Sequence, residues 1–130
     1  MNLSDYMPQD DIVSGIAQRV SGRYPDATGH CEAMSAELVK ELKRRGIFAK
    51  HAVGMFQLDE PDAHKYAEYD DDEGRDEYLV EHDWVEVEGR ILDISARQFK
   101  KSVHEAIPDI LFINYNHRLY ERFQLVNYRT

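Results

Sequence analysis

Hydrophobic residues repeat at helical spacing in two stretches near the start of the chain. After two aspartates that can cap a helix, the first stretch predicts a helix ending near Ser21-Gly22, with its apolar face formed by Ile12, Val13, Ile16 and Val20. A loop over residues 24–29, containing proline and glycine, separates it from a second predicted helix, Cys31 to Arg45. The apolar stripe of that helix consists of Cys31, Met34, Leu38 and Leu42.

The pattern then changes to the two-residue period of strands. Residues 47–56 predict a strand in which His51 shares a face with Ala49, Val53 and Met55. Residues 57–77 carry many acidic and few aliphatic side chains, and predict an acidic loop or insertion. Two strands joined by a Glu88-Gly89 turn follow, over residues 78–87 and 90–95. We further predict a short helix near residues 102–106 and strands over residues 110–115 and 123–128.

Helices followed by antiparallel strands predict an α+β fold, with N-terminal helices packed on an antiparallel β-sheet. The 130 residues correspond to a single domain, and the 42% hydrophobic content is enough for one core. No apolar run reaches the roughly 18 residues of a membrane span, and the N-terminus lacks the features of a signal peptide. We therefore expect a cytoplasmic protein that does not bind membranes.

The net charge of -9 is concentrated in one segment. The segment from Asp59 to Glu77 contains ten acidic residues and only two basic ones, Lys65 and Arg75. The rest of the chain therefore has a net charge close to zero. Because no broad basic patch is present, we expect no nucleic-acid partner. The single cysteine excludes an internal disulfide and any zinc site with two thiolates, and we expect no metal and no cofactor. The sequence does not indicate an oligomeric state.

Cys31, the single cysteine, lies in the first turn of the second predicted helix. Unpaired amides at a helix N-terminus lower the pKa of a thiol and can stabilise an oxyanion when the thiolate attacks a carbonyl. The alternative is a small apolar residue packed on the helix face, because free cysteines are often buried. Position alone does not separate these two interpretations.

The predicted hairpin brings a histidine close to an aspartate. With a two-residue turn, Val87 faces Arg90, and Trp84 faces Asp93, so His82 and Asp93 are diagonal neighbours on one face. Diagonal neighbours lie roughly 7–8 Å apart, which lets an imidazole reach a carboxylate. We therefore predict a catalytic triad in which Cys31 attacks, His82 transfers the proton and Asp93 orients the imidazole. The alternatives are a structural core histidine and an aspartate that faces solvent.

Two sequence blocks carry a family resemblance. Gly29-His30-Cys31-Glu32-Ala33-Met34-Ser35 and the stretch from His82-Asp83-Trp84-Val85-Glu86 to Leu92-Asp93-Ile94-Ser95 resemble the transglutaminase-like branch of the papain-like cysteine enzymes, in particular its small bacterial and phage members. The resemblance covers residues 29–56 and 78–99. It implies a papain-like fold in which a helix beginning with the catalytic cysteine packs on an antiparallel sheet. It also implies the Cys, His, Asp order found here.

Some positions depart from that pattern. His30 and Glu32 flank the cysteine where many transglutaminases have Gln and Trp, and no Gln precedes Cys31 at the spacing of the papain-type oxyanion donor. Tyr24 and the backbone amides are candidates to replace that donor. His30 is a further candidate for substrate or oxyanion binding, and so is Trp84, for which core packing is the alternative.

The resemblance implies an enzyme that acts on an amide, either a peptide bond or a glutamine side chain, through a thioester. Transfer to water gives a cysteine protease or deamidase, and transfer to a lysine gives a transglutaminase. We expect hydrolysis or deamidation of a protein or peptide substrate, given the small size of the chain. Two alternatives are an inactive protein-interaction module of the same fold and a redox or metal-binding protein. The missing second cysteine disfavours the redox protein.

Overall fold

Two helices and five strands follow one another along the chain. The computed structural model describes residues 8–59 and 78–129. Its helices are α1 (Pro8–Gly22) and α2 (Cys31–Arg44), and its strands are β1 (Lys50–Leu58), β2 (Tyr78–Val87), β3 (Arg90–Asp93), β4 (Leu111–Ile113) and β5 (Phe123–Arg129). Short 3-10 helices occupy Ala96–Phe99 and Arg118–Arg122.

The strands form one antiparallel sheet in the order β4-β3-β2-β1-β5, and the two helices pack on it. This confirms the predicted α+β class with N-terminal helices. Strand β2 lies at the centre, with β3 on one side and β1 on the other. Strand β1 pairs with residues 78–86 of β2 and β3 with its last three residues, and residues 82–85 of β2 are all buried.

The hairpin between β2 and β3 has the predicted register. Val87 pairs with Arg90 and Val85 with Leu92, around a turn formed by Glu88 (φ 53°) and Gly89 (φ 76°). Positive φ at both central residues is the type I′ geometry, whose twist matches that of the flanking strands. The tight turn fixes which side chains of the two strands share a face.

Two hydrophobic clusters make up the core. The first joins the helices to the sheet, through Val13, Ile16 and Val20 of α1, Met34, Leu38 and Leu42 of α2, and Val85, Val87 and Leu92 of the hairpin. The second contains Phe56, Trp84, Ile91 and Phe99 with the segment leading to β4. Residues 84 and 85 belong to different clusters because successive side chains of a strand point to opposite faces.

Several local predictions differ from the structure. Strand β3 ends at Asp93 and not at residue 95, and β4 covers only residues 111–113 of the predicted 110–115. Residues 102–106 form no helix, and the helical turn lies earlier, at Ala96–Phe99. Strand β1 begins at Lys50 rather than at Ile47, whose N–H instead bonds to Leu42 O and closes the end of α2. Gln57 and Leu58 belong to β1, and residues 60–77 of the predicted acidic loop lie outside the described residues. In the described part of the chain, neither helix has the length and hydrophobicity to cross a bilayer.

Candidate active site

His82 and Asp93 form a fully buried pair on neighbouring strands. His82 Nε2 donates to Asp93 Oδ2 at 2.5 Å, and the two side chains are 0% and 1% exposed. Because an ionised carboxylate can only accept hydrogen bonds, Nε2 carries a proton. A buried charge is unfavourable unless it is paired and hydrogen-bonded, and each of these two residues provides the other with that partner.

The second oxygen of Asp93 is fixed by the residues that follow it. Oδ1 accepts from Ser95 N at 2.8 Å, from Ala96 N at 2.9 Å and from Ser95 Oγ at 3.1 Å. An aspartate that bonds to amides two and three residues later is a local turn motif. It orients the carboxylate toward His82 and starts the 3-10 helix. The role of Ser95 was not predicted, although an Asp-x-Ser pattern after a strand is the signal for this turn.

Aromatic side chains enclose the imidazole of His82. The rings of Phe99 and Phe56 stand edge-on to it, with centroids at 5.0 and 5.7 Å, and Trp84 lies 6.0 Å away. On the neighbouring strand, Gly54 is the residue paired with His82. A Cβ added at Gly54 would lie 2.7 Å from the Trp84 ring and 2.1 Å from a backbone oxygen of β5. Because glycine has no side chain, β5 and the Trp84 ring can pack directly against Gly54 on the strand beside His82.

Cys31 contributes to the raised pKa of the same imidazole. Burial alone would lower the pKa of His82, but the charge and hydrogen bond of Asp93, with a further contribution from Cys31, raise it to about 9. His82 Nδ1 is buried and has no hydrogen-bond partner within the described residues. Since Nε2 is bound to Asp93, Nδ1 is the nitrogen available to the thiol. Catalytic hydrogen bonds are often long or poorly aligned until substrate binds.

Cys31 begins helix α2, as predicted, and is partly exposed. The residue before it, His30, occupies the N-cap position, but its side chain makes no capping hydrogen bond. The first N–H groups of a helix have no partner within the helix. Without a side-chain cap, these donors remain available beside the sulfur.

The other three candidate residues, Tyr24, His30 and Trp84, make the following contacts. Tyr24 donates its hydroxyl to Glu37 Oε1 at 3.0 Å, six residues into α2 and therefore roughly 9 Å along its axis from Cys31. The exposed His30 ring lies 5.7 Å from the ring of Tyr24. Trp84 is 1% exposed and packs against Phe123, so it is part of the core around His82.

A second histidine–aspartate pair was not found from the sequence. His51 Nε2 and Asp83 Oδ2 are 2.6 Å apart, and Arg129 Nε donates to the same oxygen at 3.0 Å. Arg129 also pairs with Glu32, the residue after the cysteine, at 3.3 Å. Glu32 is thus directed toward a cation and not toward the thiol. Strands β1 and β2 are joined by a long segment, which leaves their register unpredictable.

The described ranges, 8–59 and 78–129, contain no group of three or more His, Cys, Asp or Glu side chains placed to hold a metal ion. No family model, curated protein or solved structure matches the chain. The site is therefore interpreted from its own geometry: a thiol at a helix N-terminus, a buried imidazole beside it, and a carboxylate fixed behind the imidazole.

Proposed function

We propose that this protein is a cysteine-dependent amide hydrolase with a papain-like, transglutaminase-like fold, and that Cys31, His82 and Asp93 form its catalytic triad. One observation carries the proposal. His82 is completely buried and bonded to Asp93 through one nitrogen, its other nitrogen has no hydrogen-bond partner among the described residues, and Cys31 contributes to the raised pKa of the same ring. A structural core histidine would gain stability by satisfying both nitrogens.

In the first half of the reaction, the sulfur of Cys31, whose proton has already passed to His82 Nδ1, attacks the carbonyl carbon of an amide. The uncapped amides of α2 donate hydrogen bonds to the oxyanion that forms. His82 then protonates the leaving nitrogen as the C–N bond breaks, which leaves a thioester on Cys31. Asp93 keeps the imidazole oriented and stabilises its positive charge throughout.

In the second half, His82 removes a proton from water, and the resulting hydroxide attacks the thioester carbonyl. The C–S bond breaks, the acid is released, and His82 returns its proton to the sulfur. If the leaving group is ammonia from a glutamine side chain, the reaction is a deamidation, and if a lysine amine replaces water, it is a cross-linking. We favour hydrolysis or deamidation because the small domain offers few elements to position a second protein substrate.

The substrate class and the compartment are part of the proposal. The partly exposed thiol is the accessible end of a buried triad, which suits a protein or peptide segment that approaches from the α2 side. The mechanism also needs a reduced thiol, and a reducing compartment such as the cytoplasm preserves one.

The test is the pH dependence of Cys31 alkylation by iodoacetamide. We expect rapid alkylation well below the usual thiol pKa of about 8.5, because the His82 imidazolium stabilises the thiolate. His82→Gln keeps a donor toward Asp93 and removes the proton acceptor at Nδ1, so it should slow alkylation at pH 6 by about a hundredfold. His51→Gln is the matched control and should leave the rate unchanged.

Circular dichroism of each variant establishes that the fold is retained. An ordinary thiol titration that both histidine variants leave unchanged would exclude the triad. The interaction module would then be the better interpretation.

A further inference from the structure

The 3-10 helix Ala96–Phe99 contacts the imidazole side of the proposed triad. Its first N–H, from Ala96, donates to Asp93 Oδ1 at 2.9 Å, and the ring of Phe99 stands edge-on to His82 with the centroids 5.0 Å apart. Ala96 and Phe99 are both buried. Residues three positions apart lie on one side of a 3-10 helix, so these two residues face the core together and the two between them face elsewhere.

The two residues between them bond to the loop that connects α1 to α2. Arg97 Nη2 donates to the backbone oxygens of Ser21, at 3.3 Å, and Tyr24, where α1 ends. Gln98 Oε1 accepts from Gly29 N at 3.4 Å. An N–H can only donate, so the oxygen end of the carboxamide faces the backbone there. The loop is therefore attached to the 3-10 helix near both of its ends.

Gly29 is part of a tight turn immediately before α2. His30 N donates to Ala27 O at 3.0 Å, so Thr28 and Gly29 are the central residues, and Gly29 has φ 77°. Positive φ at the second central residue is type II geometry, and rotation of the peptide between the central residues converts it to type I, with negative φ there. That peptide carries the Gly29 N–H. A hydrogen bond from it therefore holds the turn in one of its two forms.

Cys31 directly follows this turn and is partly exposed, whereas His82 is completely buried. The two side chains belong to different elements, and the sulfur stays beside the ring only while the first turn of α2 keeps its place. Gly29 and His30 are exposed, so core packing does not fix their position. The hydrogen bond to Gln98 attaches this exposed stretch directly to the element that packs on the imidazole.

We propose that Gln98 is a positioning residue, which fixes Gly29 and thereby keeps Cys31 beside His82. The role rests on the proposed function and adds to it a residue that does not touch the substrate. The other end of the side chain supports this role, because Nε2 is buried and makes no hydrogen bond to any described residue. A buried donor without an acceptor costs stability, so the carboxamide is explained by its contact with the loop and not by a gain in stability.

The test is alkylation of Cys31 by iodoacetamide in Gln98→Met, whose side chain has a similar length but no acceptor for Gly29. We expect alkylation at pH 6 to slow by about tenfold, because a displaced thiol loses its ion pair with the imidazole. The pH midpoint of the reaction should rise toward the usual thiol pKa of about 8.5. Since the variant also removes the unsatisfied Nε2, its urea unfolding midpoint should change little. Gln18→Met, at an exposed position of α1, is the matched control and should change neither the rate nor the midpoint.

A double-mutant cycle tests whether the effect of Gln98 depends on His82. When His82→Gln has already removed the proton acceptor, Gln98→Met should slow alkylation by less than about twofold further, since no ion pair is left to misalign. Equal slowing in both backgrounds would mean that Gln98 acts on the thiol by another route, and the positioning role would be wrong. Gln98→Asn, whose shorter side chain withdraws the acceptor from Gly29, replaces the methionine variant in the cycle if that variant does not fold.

The two proposals fail separately. Slow alkylation in His82→Gln together with normal alkylation in Gln98→Met would remove the positioning role and leave the triad intact. An ordinary thiol titration in the wild-type protein, unchanged by either substitution, would exclude the triad and with it any residue that positions the triad.

Discussion

Two histidine–aspartate pairs with nearly the same contact distance lie on opposite faces of β2. His82 and Asp93 are 2.5 Å apart, and His51 and Asp83 are 2.6 Å apart. The first pair involves β2 and β3, and the second β1 and β2. All four side chains are buried, so neither distance nor burial distinguishes the pair that we propose as catalytic from the other pair.

The surroundings of the two pairs differ. Asp93 binds one imidazole and the amides of its own turn, and the free nitrogen of His82 is beside a thiol. Asp83 shares a single oxygen between His51 and Arg129, which ties β1, β2 and β5 together. The first arrangement suits proton transfer to a nucleophile, because the carboxylate holds one ring nitrogen and the other has no partner among the described residues. A cation on the carboxylate instead indicates a structural crosslink.

The largest predicted difference concerns stability. Asp93→Ala leaves four buried donors without an acceptor, and we expect the free energy of unfolding to fall by about 3–5 kcal/mol. Asp83→Ala should cost only about 1–2 kcal/mol, because Arg129 is 46% exposed and can turn to water. Urea unfolding of both variants measures the two losses. Asp93→Asn retains the Oδ1 acceptor and remains measurable if the alanine variant does not fold. Equal losses for the two alanine variants would contradict this assignment of roles.

The pH dependence of stability should separate the two histidines. Because His82 binds its proton more tightly in the folded chain, at a pKa of about 9, than in the unfolded chain, at about 6.5, the contribution of its charged pair is complete below pH 6.5. It is lost as the pH rises to about 9, a change on the order of 2–3 kcal/mol.

Urea unfolding at about pH 6 and pH 9 should therefore show a decrease for the wild-type protein that His82→Gln abolishes and His51→Gln retains. A decrease that persists in His82→Gln would mean that another group titrates in this range.

The smallest predicted effect comes from the cation of the second pair. The hydrogen bond to Asp83 raises the pKa of Arg129, with smaller contributions from Glu32 and Cys31, so the guanidinium lies within electrostatic reach of the thiol. Arg129→Gln should therefore slow Cys31 alkylation by about two- to fivefold at low salt. The difference should vanish near 0.5 M salt, roughly, where exposed charges are screened. A loss as large as that of His82→Gln would make Arg129 part of the catalytic machinery.

The two pairs also show which contacts are predictable. The two-residue turn at Glu88-Gly89 fixes the β2–β3 register, so the proximity of His82 and Asp93 follows from strand alternation. The same diagonal rule applies to His51 and Asp83, but residues 59–77 separate their strands and leave the register open. The prediction therefore succeeded for the pair with a short connection.

Short local signals were interpreted less successfully. The Asp93-Ile94-Ser95 turn starts a 3-10 helix at Ala96, several residues before the predicted helix near residues 102–106. The hydrophobic pattern of residues 96–106 does not locate the helical turn. Phe99 and Val103 are buried in the second core cluster, and they do not mark the apolar face of an amphipathic helix. Tertiary packing outweighs local propensity in such short segments.

Hydrophobic period and turn geometry depend on neighbours along the chain, and they are enough to predict the helix that begins at Cys31, the antiparallel hairpin and the shared face of His82 and Asp93. Tertiary packing sets the contacts that no local pattern indicates, which are those of Cys31 with His82, of β5 with the aromatic rings over Gly54, and of Gln98 with Gly29. These contacts join residues about 30–70 positions apart, and their geometry follows from how α2 and the sheet pack as whole bodies.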